Sequence, residues 1–313
     1  MRRAAWSVLL LLASGPLLAA VDGAEQLARI GHAVRNLNYS GTIVYQEGEA
    51  MQSIRIVHQL VDGREQEYLQ SLDGSAQEVM REGDRVVCLL GQDGPALIGH
   101  RDGSGDFPSR WAALPDDLSR SYDLYVGERG RVAGREARLL RIDSRDDLRY
   151  DHRIWFDEAS GLPLRTELVG SGDVPLEVIL FTDLQLWPDS DPARLADVLG
   201  RARTVLDAME TSAPVPMPPT WQVRELPEGF TLIATRRESM PGIESQVEHL
   251  VYSDGLATVS VYVEIPATSA MTGGRMIGAM STFAQHDGNR QVVVIGDVPM
   301  ETARRIGESV APK

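Results

Sequence analysis

Six histidines, one cysteine and a few adjacent carboxylates are the groups in this 313-residue chain that could hold a metal, attack a carbonyl or pass a proton. A zinc or related site needs imidazoles or thiolates brought close together, which a helix achieves at a spacing of three or four residues. His32, His58, His100, His152, His249 and His286 show no such spacing, and they are expected as surface or half-buried residues on strands. Cys88 stands alone, which excludes a disulfide within the chain, a CxxC redox pair and a cysteine–zinc cluster. It reads as a small buried apolar residue in mid-strand rather than a reactive thiol. HExxH, GxSxG, the GxxxxGKS phosphate loop and the EF-hand calcium loop are missing. Asp116-Asp117 and Asp146-Asp147 fall in expected turns, where Asp is favoured because its carboxylate bonds to nearby backbone. Gly273-Gly274 precedes an expected helix, whose N-terminus could cradle an anion. No residue nominates itself as catalytic, and neither a cofactor nor a metal is expected.

The elements must therefore position surfaces rather than reacting groups. Leu27, Ile30, Val34 and Leu37 recur at three and four residues and predict an amphipathic helix over 24–38. From Ser40 the pattern changes to short β-branched stretches separated by turn dipeptides such as Asp62-Gly63 and Asp73-Gly74. Strands are expected at 41–46, 53–60, 67–71, 77–81, 85–90 and 96–99, then at 122–126, 136–142, 152–156, 164–168 and 177–186, with a loop or helix-bearing excursion over 101–117. Such a series describes an antiparallel meander that curls into a barrel or half-barrel. Pro192 suits the first turn of a helix over 191–209, and Leu195, Val198, Leu199, Ala202, Val205, Leu206 and Met209 form its apolar stripe. Pro214, Pro216, Pro218 and Pro219 then preclude regular structure, which makes 210–220 a linker between a first domain over 24–209 and a second over 221–313. In the second domain, strands are expected at 221–224, 230–236, 247–252, 258–265 and 291–295, and helices at 275–285 and 300–310. This order gives a small antiparallel sheet with helices on one face. A proline-rich boundary also implies few contacts across it and a second domain that folds alone from about Thr220.

Composition narrows the partners. Lys and Arg number 31 against 45 Asp and Glu, a formal charge of −14, so no nucleic-acid partner is expected, because phosphate contacts need local cations. At 43% hydrophobic residues the chain can build a core in each domain. Arg2 and Arg3, an apolar run over 4–12 extended by Leu17 and Leu18, and the small pair Ala19-Ala20 have the layout of a cleaved secretory signal peptide over 1–20. No later stretch reaches the ~18 apolar residues of a spanning helix.

Certain runs of residues are more specific. Asn38-Tyr39-Ser40-Gly41-Thr42-Ile43-Val44-Tyr45-Gln46, Ile54-Arg55-Ile56-Val57-His58 and Ser71-Leu72-Asp73-Gly74, with Glu78-Val79 and Cys88 downstream, resemble the N-terminal domain of the MucB/RseB family. His152-Arg153-Ile154-Trp155-Phe156-Asp157 with Gly161-Leu162-Pro163-Leu164-Arg165 is similar to a hairpin shared by that family and by LolA/LolB-type lipoprotein carriers. Trp221-Gln222-Val223, Leu226-Pro227-Glu228-Gly229-Phe230, Gly278-Ala279-Met280 and the run from Val292 to Pro299 resemble the family's C-terminal domain. Only the helix over 191–209 has no match.

The resemblance implies a mainly β fold with some helix: an unclosed, lipoprotein-carrier-like antiparallel β-barrel with packed helices, then a smaller α+β domain with an antiparallel sheet. It also implies a non-enzymatic periplasmic regulator of the envelope-stress sigma factor (sigma-E/AlgU type). The expected partner is the periplasmic domain of a single-span anti-sigma factor of the MucA/RseA type, shielded from proteolysis mainly through the second domain. The first domain is expected to sense a lipid, lipopolysaccharide or lipoprotein amphiphile. Monomer, homodimer and higher oligomer stay open. Tyr39, Ile43, Tyr45, Ile54 and Ile56, at alternating strand positions, are the candidate lining of an apolar cavity for an acyl chain, with ordinary core as the other reading of the same face. A periplasmic lipid or lipoprotein carrier is the alternative function, and it leaves 221–313 unexplained. A secreted hydrolase with an unrecognised site is a third class, with no residue to support it.

Overall fold

Asp22 opens the first helix, α1 (Gly23–Asn36), by accepting the Ala24 N–H at 3.0 Å, while Glu25 and Arg35 lie at the ends where the helix dipole favours their charges. Its Leu27, Ile30 and Val34 are buried as the periodicity predicts. The structure is a computed structural model describing residues 22–83, 85–90, 96–100, 109–111, 118–208, 218–239, 246–268 and 270–313. The signal-like 1–20, Asp116-Asp117 and most of the proline-rich segment lie outside the described residues.

Eleven strands follow α1 in one antiparallel sheet: β1 (Asn38–Glu47), β2 (Ala50–Val61), β3 (Arg64–Ser71), β4 (Gln77–Glu82), β5 (Arg85–Leu90), β6 (Ala96–His100), β7 (Tyr122–Val132), β8 (Arg135–Ser144), β9 (Asp151–Asp157), β10 (Pro163–Gly170) and β11 (Val174–Trp187). Their order is β6-β5-β4-β3-β2-β1-β11-β10-β9-β8-β7, so β1 pairs with both β2 and β11, while β6 and β7 are unjoined edges. The barrel is therefore unclosed, as expected. Gly41 lies where β11 crosses closest, since a Cβ there would stand 2.2 Å from the Asp183 carbonyl oxygen, and the β1–β11 register shifts just after it.

The two faces of the sheet bury different things, as period-2 alternation requires. On the concave face Ile56, Leu140, Ile142, Ile154, Phe156 and Phe181 form one core with α1, which touches β2, β7 and β8 and so lies within the curl of the sheet. On the convex face Val57, Tyr68, Met80 and Val87 pack against Leu195, Leu199 and Ala202. Those three belong to a 3-10 turn, Pro192–Leu195, and α2 (Ala196–Ala208), which together cover 192–208 of the expected 191–209 helix, with Met209 outside the described residues. His58, His152 and His249 are 0%, 3% and 5% exposed, which corrects the expectation of surface or half-buried histidines. His58 is held inside because Nδ1 meets the Leu37 carbonyl at 2.8 Å and its ring stacks on Tyr39 at 4.8 Å. Cys88 lies on β5 as expected for a strand residue, but with intermediate exposure, which corrects the expectation that it is buried.

The second domain pairs β12 (Trp221–Val223) with β19 (Val310–Pro312), fastening its first and last segments together. Its main sheet runs β13-β14-β15-β18-β17-β16, from β13 (Thr231–Ser239), β14 (Gln246–Ser253), β15 (Thr258–Glu264), β16 (Gly273–Ile277), β17 (Met280–Asp287) and β18 (Arg290–Gly296). Among the described residues one helix, α3 (Met300–Glu308), packs on it through Ala303 and Ile306. The expected helix over 275–285 is instead the β16–β17 hairpin, turning at Gly278-Ala279 with Gly278 at φ +55°. The anion cradle proposed for Gly273-Gly274 goes with it, because these glycines begin a strand and no helix N-terminus follows. The start of the domain is anchored by the buried Glu248, which accepts the backbone N–H groups of Thr220 and Trp221 at 2.7 and 3.1 Å.

Candidate functional site

Adjacent strands place same-face residues opposite one another, and β1 and β2 align Ile43 with Ile54 and Tyr45 with Gln52. The neighbouring ladders add Leu69 beside Ile56, Val79 beside Leu69, and Ile179 of β11 beside Tyr45. Beyond the reach of α1 these side chains leave a cavity of about 260 Å³, lined by Ile43, Tyr45, Ile54, Leu69, Val79 and Ile179, with Gln52, Ser71, Gln77, Arg110 and Glu177 as its polar wall. An apolar body with a few convergent polar groups is the usual composition of a small-molecule site, and this volume lies just below the ~300–1,000 Å³ typical of one.

Ile43, Tyr45 and Ile54, three of the five residues nominated from sequence, line the cavity. Tyr39 and Ile56 are fully buried in the adjoining core, with Tyr39 edge-on to Phe181 at 6.2 Å. Leu69, Val79 and Ile179 escaped notice although their strands were expected, because knowing that they share this face requires the strand register. Arg110 and Glu177 carried no sequence signal.

Those two set the electrostatics. The Tyr45 hydroxyl donates to Glu177 Oε2 at 3.3 Å, and Arg110 Nη1 stands 3.6 Å from Glu177 Oε1. Burial raises the Glu177 carboxyl above its ordinary value, with Arg110 opposing and Asp297 and Glu47 adding to the rise. Burial also pushes the Tyr45 phenol well up, and the neighbouring Glu177 and Glu47 reinforce it. The cavity thus has a polar end at which ionisation is costly unless a partner is supplied. Among the described residues no cluster of His, Cys, Asp or Glu could hold a metal ion.

That polar end lies at a seam between the domains, which is far more extensive than the proline-rich boundary implied. Arg110 Nη2 donates to Asp297 Oδ2 of the second domain at 3.0 Å. Farther along, the fully buried Arg149 guanidinium donates to Asp254 at 2.6 Å, to the Glu228 carbonyl at 2.8 Å and to both Asp146 oxygens at 3.0 Å. The Tyr122 hydroxyl donates to the same Asp254 at 2.9 Å, and burial, then the Asp254 carboxylate, raises its pKa well above the ordinary value. Asp254 Oδ1 is used within its own loop, accepting the N–H groups of Leu256 and Ala257 at 3.0 and 2.8 Å. Leu256 itself enters the first domain's core, and Thr302 of α3 donates to the Leu148 carbonyl at 2.7 Å. Of the expected turn residues Asp146-Asp147, Asp146 thus orients Arg149 at the junction.

Comparison with known proteins agrees with this two-part construction. The family model described as MucB/RseB N-terminal domain matches residues 22–199, and that described as MucB/RseB C-terminal domain matches residues 216–311. The sigma factor AlgU regulatory protein MucB of Pseudomonas aeruginosa is 33% identical over 98% of this chain and 97% of its own length. The sigma-E factor regulatory protein RseB of Escherichia coli is 25% identical over 91% and 89%. A crystal structure of MucB in complex with MucA(peri) superposes with a TM-score of 0.71 at 30% identity, covering 93% of this chain and 99% of that one.

Proposed function

This chain belongs to the MucB/RseB family, and from that membership we propose that it acts in the periplasm as a negative regulator of an envelope-stress sigma factor. In this reading it binds the periplasmic part of a membrane-spanning anti-sigma factor, shields it from regulated proteolysis and is released when an amphiphile occupies the first domain. The observation that carries the reading is continuity: both domains match in order, and the likeness to MucB in complex with MucA(peri) extends over 93% of the chain. The apolar cavity beside Tyr45 and Glu177 supports the sensing half. A carrier would need only the first domain, and it leaves the Arg149–Asp254 junction without a purpose. No described helix is long and apolar enough to cross a membrane, so the reading draws its membrane connection from the partner.

The test is recovery of tagged protein from periplasm together with inner membrane. A single-span anti-sigma factor is expected as the dominant partner, protected from protease while bound. Its absence from the recovered material, or equal cleavage with and without this protein, would overturn the proposal.

A further inference from the structure

The cavity and the second domain share one side chain. Arg110 is the only cation among the described residues lining the cavity, and its guanidinium is divided between Glu177 in the cavity wall at 3.6 Å and Asp297 of the second domain at 3.0 Å. Asp297 follows β18 and lies two residues before Pro299, which opens α3, so its position is tied to the frame of the second domain. The same rim is touched a second time by the β16–β17 turn, where Gly278 lies so close to Glu47 that a Cβ would stand 2.1 Å from the Glu47 Cγ. Guanidinium binds carboxylate and phosphate through the same fork of donors. A third anion reaching Arg110 from the cavity therefore competes with these two carboxylates for the guanidinium.

Resting on the reading of this cavity as the sensing site, we propose that Arg110 both reads the ligand and transmits its arrival: a single-chain amphiphile with an anionic headgroup, phosphate or carboxylate, places its chain along Ile43, Ile54 and Ile179 and takes Arg110 from Asp297. The tie and the ligand then exclude each other, and the β16–β17 turn loses its hold on the rim. A volume of about 260 Å³ accommodates one short chain better than a lipid with several. Exclusion is a coupling free energy, so removing Asp297 must strengthen ligand binding by the factor with which the ligand weakens the tie, in the 5- to 150-fold range usual for such couplings.

The experiment titrates the full chain with dodecyl phosphate, dodecanoate, neutral dodecyl maltoside and dodecylammonium, each below its micelle concentration, and follows amide exchange in the β16–β17 hairpin. Dodecyl phosphate and dodecanoate are expected to bind at least about 10-fold tighter than the other two, and the stronger of them names the headgroup source. Arg110→Gln should erase that preference while keeping maltoside binding, and Asp297→Asn should tighten anion binding at least about 5-fold. Dodecyl phosphate should accelerate exchange around Gly278 in the native protein only. Equal binding of charged and neutral amphiphiles, or a preference for dodecylammonium, overturns the assignment of Arg110 and leaves the cavity reading standing. Unchanged affinity in Asp297→Asn, a variant that tests the coupling even if Arg110→Gln does not fold, overturns the transmission. Failure of all four probes to bind removes the sensing site itself, and the proposal with it.

Discussion

At the scale of single residues, His152 gives the sharpest expectation. It is 3% exposed, with Trp111 edge-on at 5.5 Å, and burial, assisted by Arg110, pushes its pKa down to about 3. In the unfolded chain the ring titrates near 6.5, so between those values the unfolded state binds the extra proton and stability falls as pH drops. Urea unfolding at pH 7 and pH 5 should show the native protein losing about 2 kcal/mol more than His152→Gln over that interval. Equal losses in the two proteins would mean that His152 is protonated inside the fold. Two isoleucines one step apart on the concave face separate core from cavity. Ile56 has no exposure, so Ile56→Asp strands a carboxylate without a partner and should cost more than about 3 kcal/mol, whereas half-buried Ile54→Asp faces the cavity and should cost clearly less in the same urea titration.

At the scale of elements, the β16–β17 hairpin shows how a local pattern is overruled. Met276, Met280, Phe283 and Ala284 recur at three and four residues, which is a helical period, and Met and Ala favour helix. The structure instead pairs Phe283 with Val294 and Gln285 with Val292, because β18 would otherwise leave a buried, Val-rich edge without hydrogen-bond partners. The left-handed turn at Gly278 makes the hairpin affordable in backbone terms, since an L side chain at φ +55° is strained. Gly278→Ala adds that strain to the contact with Glu47 and should lower stability by about 1–2 kcal/mol. A double-mutant cycle with Glu47→Ala should recover only the contact part, as read by thermal unfolding. Full recovery would show that the turn itself is unstrained.

At the scale of the whole molecule, the domain junction carries a buried ion pair, Arg149–Asp254, rather than a loose hinge. Desolvating two charges makes such a pair a poor source of net stability, but removing one member strands the other. Arg149→Met leaves Asp254, 5% exposed, facing the Tyr122 hydroxyl and its own loop amides without its cation. The expected cost is about 3–5 kcal/mol, together with a change in cooperativity. The native chain should unfold in one transition with coincident circular dichroism and tryptophan fluorescence, and the variant in two. Coincident transitions in the variant would show that the remaining contacts, Leu256 in the first domain's core and Thr302 on Leu148, hold the domains by themselves. For the same reason a fragment beginning at Thr220 is expected to be less stable than the same residues within the full chain, because it exposes Leu256.

Strand after strand of the first domain, α1, the 191–209 helical segment and the succession of two units were legible in the sequence. Each of these is set by interactions between residues close along the chain: β-branched alternation, Asp-Gly turns and a three-and-four apolar stripe. The apolar end of the cavity was half legible, through Ile43, Tyr45 and Ile54 on two consecutive strands joined by a short turn. What was not legible depends on residues far apart in the chain. Arg110 meets Asp297 across 187 positions and Arg149 meets Asp254 across 105, and neither arginine differs by type or spacing from its exposed neighbours. The strand identity of 275–285 likewise belongs to the edge of β18 and not to the segment itself. Local propensity is written residue by residue, whereas an ion pair or a shared sheet edge exists only once the chain has closed on itself, so the domains could be read from sequence and the joint between them required the fold.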